Sequence, residues 1–299
     1  MKNQIEQLKK AKNAVILAHY YVPAEVQQIA DFVGDSFYLA RIAKQIDADI
    51  LVFCGVQFMG ESAKILNPHK KVLMPDLTAD CPMAHMVAPG MIDKMRAQYE
   101  DLAVVCYINS SAELKCQSDV CVTSSNAVRI VRALPNKNIF FIPDRNLGSF
   151  VAGRVPEKNI ILNDGCCPIH TKITPAQVLA EKEKHPEAKV LSHPECDASV
   201  LAVSDYIGST ADIISYAKLD TAEAYIICTE DGVDHKLITD HPDKRFYYPA
   251  PHPCCVDMKR NTLAAVLSVL EKEDREVMVS EDVRRCALLP LEKMLELAR

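Results

Sequence analysis

The stretches ADFVGDS (residues 30–36), SDVCVTS (118–124) and SDYIGST (204–210) share one pattern: an aspartate, a short apolar run, then a hydroxyl residue. Asp31, Asp119 and Asp205 lie 88 and 86 residues apart, and so do Ser36, Ser124 and Thr210. A fixed period marks a repeated structural unit. Working outward, each stretch is preceded by an apolar run that ends in a polar residue: AVILAHY from Ala14, AVVCYIN from Ala103 and AKVLSHP from Ala188. It is followed by a second run: ILVFCGVQ, IFFIPDRN and AYIICTED. The last register is a cysteine: Cys81, Cys167 and Cys255, 86 and 88 residues apart.

Within each copy the runs are short and continuously apolar, as parallel strands buried on both faces are. Between them lie segments of helical period, such as SFYLARIAKQI, SNAVRIVRAL and ADIISYAKL. Each copy therefore reads strand, helix, strand, helix, strand, short helix, strand and loop. Alternation of this kind implies right-handed crossovers and parallel sheets. After each key cysteine comes a further helix, one of them PAQVLAEKEKH with Pro175 at its first position. REVMVS begins like a fourth copy but leads to a closing helix capped by Ser280. The expected fold is α/β: three homologous parallel-sheet repeats of about 85 residues around a pseudo-threefold axis, near the low end of stable domain size. Their expected limits are 1–90 with an N-terminal helix, 91–175, and 176–299 with the closing helix.

Composition agrees and excludes alternatives. The 299 residues are 49% hydrophobic and 25% charged, ordinary for a globular protein, and only 9 are glycine. The net charge of −6 argues against a nucleic-acid partner. No apolar run has the length of a membrane span, and MKNQIEQLKKAKNAVILAHYY lacks the apolar core and cleavage site of a secretory leader. A cytoplasmic chain with no membrane and no nucleic-acid partner is expected.

Twelve cysteines are many for a reducing compartment, where structural disulfides are unexpected. Cys54, Cys106 and Cys228 sit in strand-like runs and read as small hydrophobes, and Cys116 and Cys121 read as equally bland. Cys81, Cys166, Cys167, Cys254 and Cys255 fall in Pro-rich loops, where ligands are mounted. In open α/β sheets function collects at the carboxyl ends of strands. Three equivalent units would bring Cys81, Cys167 and Cys255 together there, the repeat favouring the second cysteine of each tandem pair. Three thiolates suit zinc completed by water, or an iron–sulfur cubane with one iron left open. Absence of a matched histidine favours the cluster.

Other equivalent positions suggest anion binding. Ser36, Ser124 and Thr210 fall at expected helix starts, where N–H groups and the dipole favour phosphate or carboxylate. A hydroxyl there is also an ordinary N-cap. His19 and His193 end equivalent strands, with Asn109 one position from their counterpart; Glu195 is placed for acid–base work, and Tyr21 and Tyr107 offer phenols nearby.

The segments AHYY, GDS, GVQFMGESAKILNP, DCPMAH, YINSSAE, TSSNAV, PDRNLG, CCPIH, HPEC, GST and DMKRNTL, taken in order, resemble the quinolinate synthase family from about residue 14 to about 270. Val22, Gly60 and the doubled cysteines depart from the family pattern. The resemblance implies a [4Fe–4S] cluster on Cys81, Cys167 and Cys255, with an open iron as Lewis acid. It implies condensation of iminosuccinate with dihydroxyacetone phosphate to quinolinate, phosphate and water, in NAD biosynthesis. Substrate contacts fall on His19, Ser36, Tyr107, Asn109, Ser124, His193, Glu195 and Thr210. Tyr21 matches a mobile catalytic tyrosine, and Glu195 and His193 join it as catalytic candidates. The unstable imine raises a transient L-aspartate oxidase partner. From other classes, a three-cysteine zinc hydrolase and a non-catalytic iron–sulfur sensor stand as alternatives.

Overall fold

A computed structural model describes residues 1–298. Helix α1 (Lys2–Ala11) leads into β1 (Ala14–His19), α2 (Ala24–Gln27), β2 (Phe32–Gly34), α3 (Ser36–Gln45), β3 (Ile50–Cys54), α4 (Gln57–Leu66) and β4 (Lys71–Leu73). A second series follows: α5 (Met91–Gln98), β5 (Leu102–Tyr107), α6 (Ala112–Cys116), β6 (Val120–Val122), α7 (Ala127–Ala133), β7 (Asn138–Ile142), α8 (Arg145–Arg154) and β8 (Asn159–Leu162). The third comprises α9 (Pro175–Lys184), β9 (Lys189–Ser192), α10 (Ala198–Leu201), β10 (Tyr206–Ile207), α11 (Thr210–Leu219), β11 (Ala224–Cys228), α12 (Asp234–Asp240) and β12 (Arg245–Tyr247). Helices α13 (Leu263–Lys272) and α14 (Glu281–Leu297) end the chain's described part.

Each series forms one four-stranded, all-parallel sheet, and the strand order is the same in all three: β2-β1-β3-β4, β6-β5-β7-β8 and β10-β9-β11-β12. The α/β fold of three repeated parallel-sheet units is therefore present. In each, the chain leaves the first strand to one side and the third strand returns on the other, which opens a crevice at their carboxyl ends.

The repeated aspartates fix the register. Asp31 accepts the Ile16 N–H (2.8 Å), Asp119 that of Val104 (2.7 Å) and Asp205 that of Val190 (2.8 Å). The backbone N–H of each aspartate donates back to the same residue's carbonyl, at 2.9 Å in every copy. This clasp pairs the start of the second strand with the first before the ladder begins, so the recurrence of these aspartates in the three copies is structural.

The core is divided unevenly. One continuous apolar cluster runs through the first two units and takes in Val266, Leu270, Leu291 and Met294 of the last two helices. The third unit has two separate clusters, one on each face of its own sheet: Val190 and Ile226 on one side, Leu191 and Tyr225 on the other. Adjacent strand residues point to opposite faces, so one four-residue strand feeds both. Helix α13 packs on α1, α2 and β3, and α14 on α4, α6, β6 and α7.

Three expectations need correcting. Residues 274–278 do not start a fourth unit. They run antiparallel along β4, with the Val277 N–H donating to Val72 (2.8 Å) and that of Met74 to Arg275 (3.0 Å), and cover its open edge. Ser280 then caps α14, as its position suggested. The disulfide expected to be absent is present: Cys116 at the end of α6 is bonded to Cys286 in α14, across a sequence separation of 170. The bland reading of Cys116 failed because only the packing of α14 on α6 brings its partner near. Thirdly, Ser124 does not begin a helix. It lies in a turn, three residues before α7, that Asn126 closes by accepting the Thr123 N–H (2.7 Å).

Candidate active site

Loops at the carboxyl ends of all three sheets line one cavity of about 230 Å³. Cys81, Cys167 and Cys255 all face it; their tandem neighbours Cys166 and Cys254 do not line it. The three cysteine loops share one local design. Each cysteine carbonyl accepts an N–H three or four residues on: Ala84 (2.9 Å), Thr171 (3.1 Å) and Lys259 (3.2 Å). A single 3-10 turn follows in each case, Pro82–His85, His170–Lys172 and Met258–Arg260. The turn aims the N–H groups of the second and third residues after the cysteine at its sulfur: Met83 and Ala84, Ile169 and His170, Asp257 and Met258.

Burial pushes all three thiols up, while these N–H groups pull them back toward thiolate. Donors held around a sulfur are the arrangement that a metal-bound thiolate uses. The donor set therefore fits a cluster bound through three thiolates, and binding it would release protons. Close by, Cys167, His170 and Glu195 also offer ligand atoms within 4.8 Å of one another.

Above the cysteines sit polar groups from each unit. His19 and His193, ending β1 and following β9, each accept on Nδ1 the N–H of the residue two further on, Tyr21 (3.2 Å) and Glu195 (3.3 Å). That acceptor role leaves the ring proton on Nε2. Burial lowers both histidines to about 3, so both are neutral. Glu195 is 3% exposed. Burial alone would raise its carboxyl, but His170 beside it and the Tyr107 hydroxyl offset this and hold it down at about 2. Its Oε2 lies 2.9 Å from His170 Nδ1, while Oε1 has no partner; Asn109 Oδ1, also on the cavity, has none either. Both residues line the cavity, and a buried polar atom without a partner is costly.

Tyr21 reaches over the cavity, its hydroxyl 2.6 Å from Thr210 Oγ1 and 2.7 Å from Thr229 Oγ1. Burial pushes its phenol well up, and likewise that of Tyr107, which neighbours Glu195. The expected hydroxyls Ser36, Ser124 and Thr210 all line the cavity. None is an N-cap: Asp35 caps α3, Asn126 precedes α7 and Ser209 caps α11, so Ser36 and Thr210 stand at the first helical position. With capping done by a neighbour, the Ser36 hydroxyl is available to a ligand, and that of Thr210 is spent on Tyr21 rather than on its own helix.

His170 was missed from sequence. It is 1% exposed, 3.2 Å from Cys167 Sγ and 2.9 Å from Thr229 Oγ1, and joins the cysteine to Glu195 and the Tyr21 partner. Its signal is the Cys-x-x-His spacing of CPIH, which has no counterpart among the repeated positions because the other two units carry Ala84 and Met258 there. Glu230 and Lys172, also on the cavity, were likewise not singled out. Among the described residues no helix is long and apolar enough to cross a membrane.

A triplicated α/β fold whose strand ends pool buried acid–base groups, hydroxyls and three donor-wrapped thiols defines an enzyme with a candidate metal centre. The sequence profile of the quinolinate synthetase A protein family matches residues 3–296, and the chain belongs to that family. It is 51% identical over 298 residues to a quinolinate synthase of Fusobacterium nucleatum, covering 100% of this chain and 99% of the relative. Quinolinate synthases of Caldicellulosiruptor saccharolyticus (50%, covering 100% and 98%) and Clostridioides difficile (47%, covering 99% and 97%) are similar over comparable lengths.

Proposed function

We propose that this chain condenses iminosuccinate with dihydroxyacetone phosphate to give quinolinate, phosphate and two molecules of water. Cys81, Cys167 and Cys255 would hold a [4Fe–4S] cluster. The observation that carries this reading is the thrice-repeated cysteine loop, with two N–H groups at each sulfur, opening on a single cavity. When bound, such a cluster with one open iron supplies Lewis acidity for loss of hydroxide.

The rest of the chemistry falls to side chains. Ser36, Ser124 and Thr210, with the starts of α3 and α11, bind the carboxylates and phosphate. Neutral His19 and His193 donate from Nε2 to substrate oxygens without adding charge. Glu195, ionised and with Oε1 unpartnered, is the base for enolisation and tautomerisation. Tyr21 keeps its proton and serves as acid while closing the cavity over the substrates. Asn109 and Tyr107 fix the second substrate's orientation. Iminosuccinate is an unstable imine, so transient delivery by an L-aspartate oxidase in the cytoplasm belongs to the same proposal.

Iron and acid-labile sulfide per chain, measured on anaerobically purified protein, test it directly. Four of each, with quinolinate formed from the two substrates, are expected, and Cys81→Ser should remove cluster and turnover together. The Cys167, His170 and Glu195 group would also accept zinc. Zinc without sulfide would replace this reading with a zinc hydrolase, and a cluster without turnover on these substrates would leave the sensor alternative.

A further inference from the structure

The third strand of the second and third units is followed, within one position of equivalence, by a buried acid: Asp144 after β7 and Glu230 after β11. Each accepts the backbone N–H of its own unit's inward cysteine, Asp144 Oδ2 from Cys167 (3.1 Å) and Glu230 Oε1 from Cys255 (3.0 Å). The first unit has Gly55 and Val56 there, and the Cys81 N–H turns instead to its half-exposed neighbour Asp80 (2.7 Å).

Asp144 spends its other oxygen within its own unit, on the Leu147 N–H (2.7 Å), and among the described residues it pairs with no cation. Glu230 does more. Its Oε2 accepts the Gly232 N–H (2.7 Å), and its Oε1 lies 2.7 Å from Lys259 Nζ. That ammonium donates in turn to the carbonyl of Tyr21 (2.8 Å). Gly232 itself lies against Tyr21, where a Cβ would come within 2.7 Å of the tyrosine backbone. The Gln27 side-chain nitrogen closes the junction, 2.7–2.9 Å from the Tyr20, Val22 and Gly232 carbonyls, with two hydrogens to share among them.

We propose that Glu230 is a positioning residue that couples the Cys255 loop of the third unit to the Tyr21 loop of the first, through Lys259. Its carboxylate touches neither the cysteine sulfur nor the Tyr21 hydroxyl; it sets the backbone that carries each. An ion pair shared by two loops holds them in one arrangement, so closure of the tyrosine and geometry of the thiol rise and fall together. The functional meaning of that coupling rests on the function proposed above. The coupling itself does not.

Hydrogen exchange on the full chain, iron-loaded and again after iron removal, reads it without reference to turnover. Glu230→Gln keeps the shape but removes the charge, and a bond to a charged group is worth about tenfold or more. In the iron-free chain, amides of residues 20–22 and 254–259 should therefore exchange at least about tenfold faster together. Asp144→Asn should speed exchange around Cys167 and leave residues 20–22 unchanged. Lys259→Gln removes the ammonium, with its ion pairs to Glu230 and Asp231 (3.0 Å) and its bond to the Tyr21 carbonyl, and reads the same coupling if the first variant does not fold. Unchanged exchange at 20–22 in Glu230→Gln and in Lys259→Gln overturns the inference. In turnover assays Glu230→Gln should lower kcat more than it alters KM, and its effect should not add to that of Tyr21→Phe; full additivity would also overturn it. Failure to form quinolinate, with the exchange pattern intact, would count against the proposed reaction alone.

Discussion

At the scale of the residue, the hydroxyls at the helix starts show how a small positional difference separates a structural from a functional role. Ser209 caps α11 through a reciprocal capping box with Asp212, whereas Ser36 stands one residue inside α3 behind its own cap, Asp35. Ser209→Ala should therefore cost about 1 kcal/mol in a denaturation measurement. Ser36→Ala should change stability by less than about 0.5 kcal/mol and raise KM by about tenfold, the value of one hydrogen bond to a charged group. Equal losses of stability in the two would return Ser36 to a capping role. His19 gives a pH prediction. Its folded-state value, about 3, lies below the 6.5 of an exposed histidine because burial disfavours the cation. The unfolded chain thus binds the extra proton first. The stabilisation is complete above pH 6.5 and is lost as pH falls toward 3, by about 1.4 kcal/mol per unit at the steepest. Urea midpoints measured across that window should flatten in His19→Asn.

At the scale of the element, the disulfide between α6 and α14 is the feature with the clearest consequence. Cys116 ends the helix that follows the Tyr107 and Asn109 loop, so α14 braces that loop from behind. Cys286→Ser should lower stability by about 2–4 kcal/mol under non-reducing conditions. Iron content should not change, since neither Cys116 nor Cys286 lines the cavity; loss of iron would show that the brace reaches it. This bond was illegible in the sequence for a physical reason. The strands, the helices after Ser36 and Thr210, and the order of elements were legible because each rests on a pattern a few residues long that occurs three times. The meeting of Cys116 with Cys286, or of Lys259 with Tyr21, depends on how finished elements pack, and neither has a counterpart in another copy. His170 lies between these cases: its spacing to Cys167 was visible, but uniqueness to one unit hid it from a comparison of repeats. The aspartates were legible as equivalent, yet only the backbone bonds to Ile16, Val104 and Val190 show that they serve register.

At the scale of the whole molecule, the division of the core predicts an order of opening. The first two units share one apolar cluster, whereas the third has two smaller ones, reached from the first unit by Tyr20 and Tyr21. Without metal, amides of β9 to β12 should exchange by a sub-global opening that leaves β1, β3, β5 and β7 protected, and loading iron should slow that opening. Simultaneous exchange of all three sheets would show a single cooperative unit. The identical strand order of the three sheets has a further consequence, for ancestry. Three separate copies of one such unit, assembled as a ring, could surround an axis only with identical groups: three equal thiols, three equal hydroxyls. Joined in one chain, the copies were free to differ. The wall that offers Tyr21, the wall that offers Asn109 and the wall that offers Glu195 are the same place in the same fold, and a cavity lined by three unlike versions of one wall can tell two unlike small molecules apart.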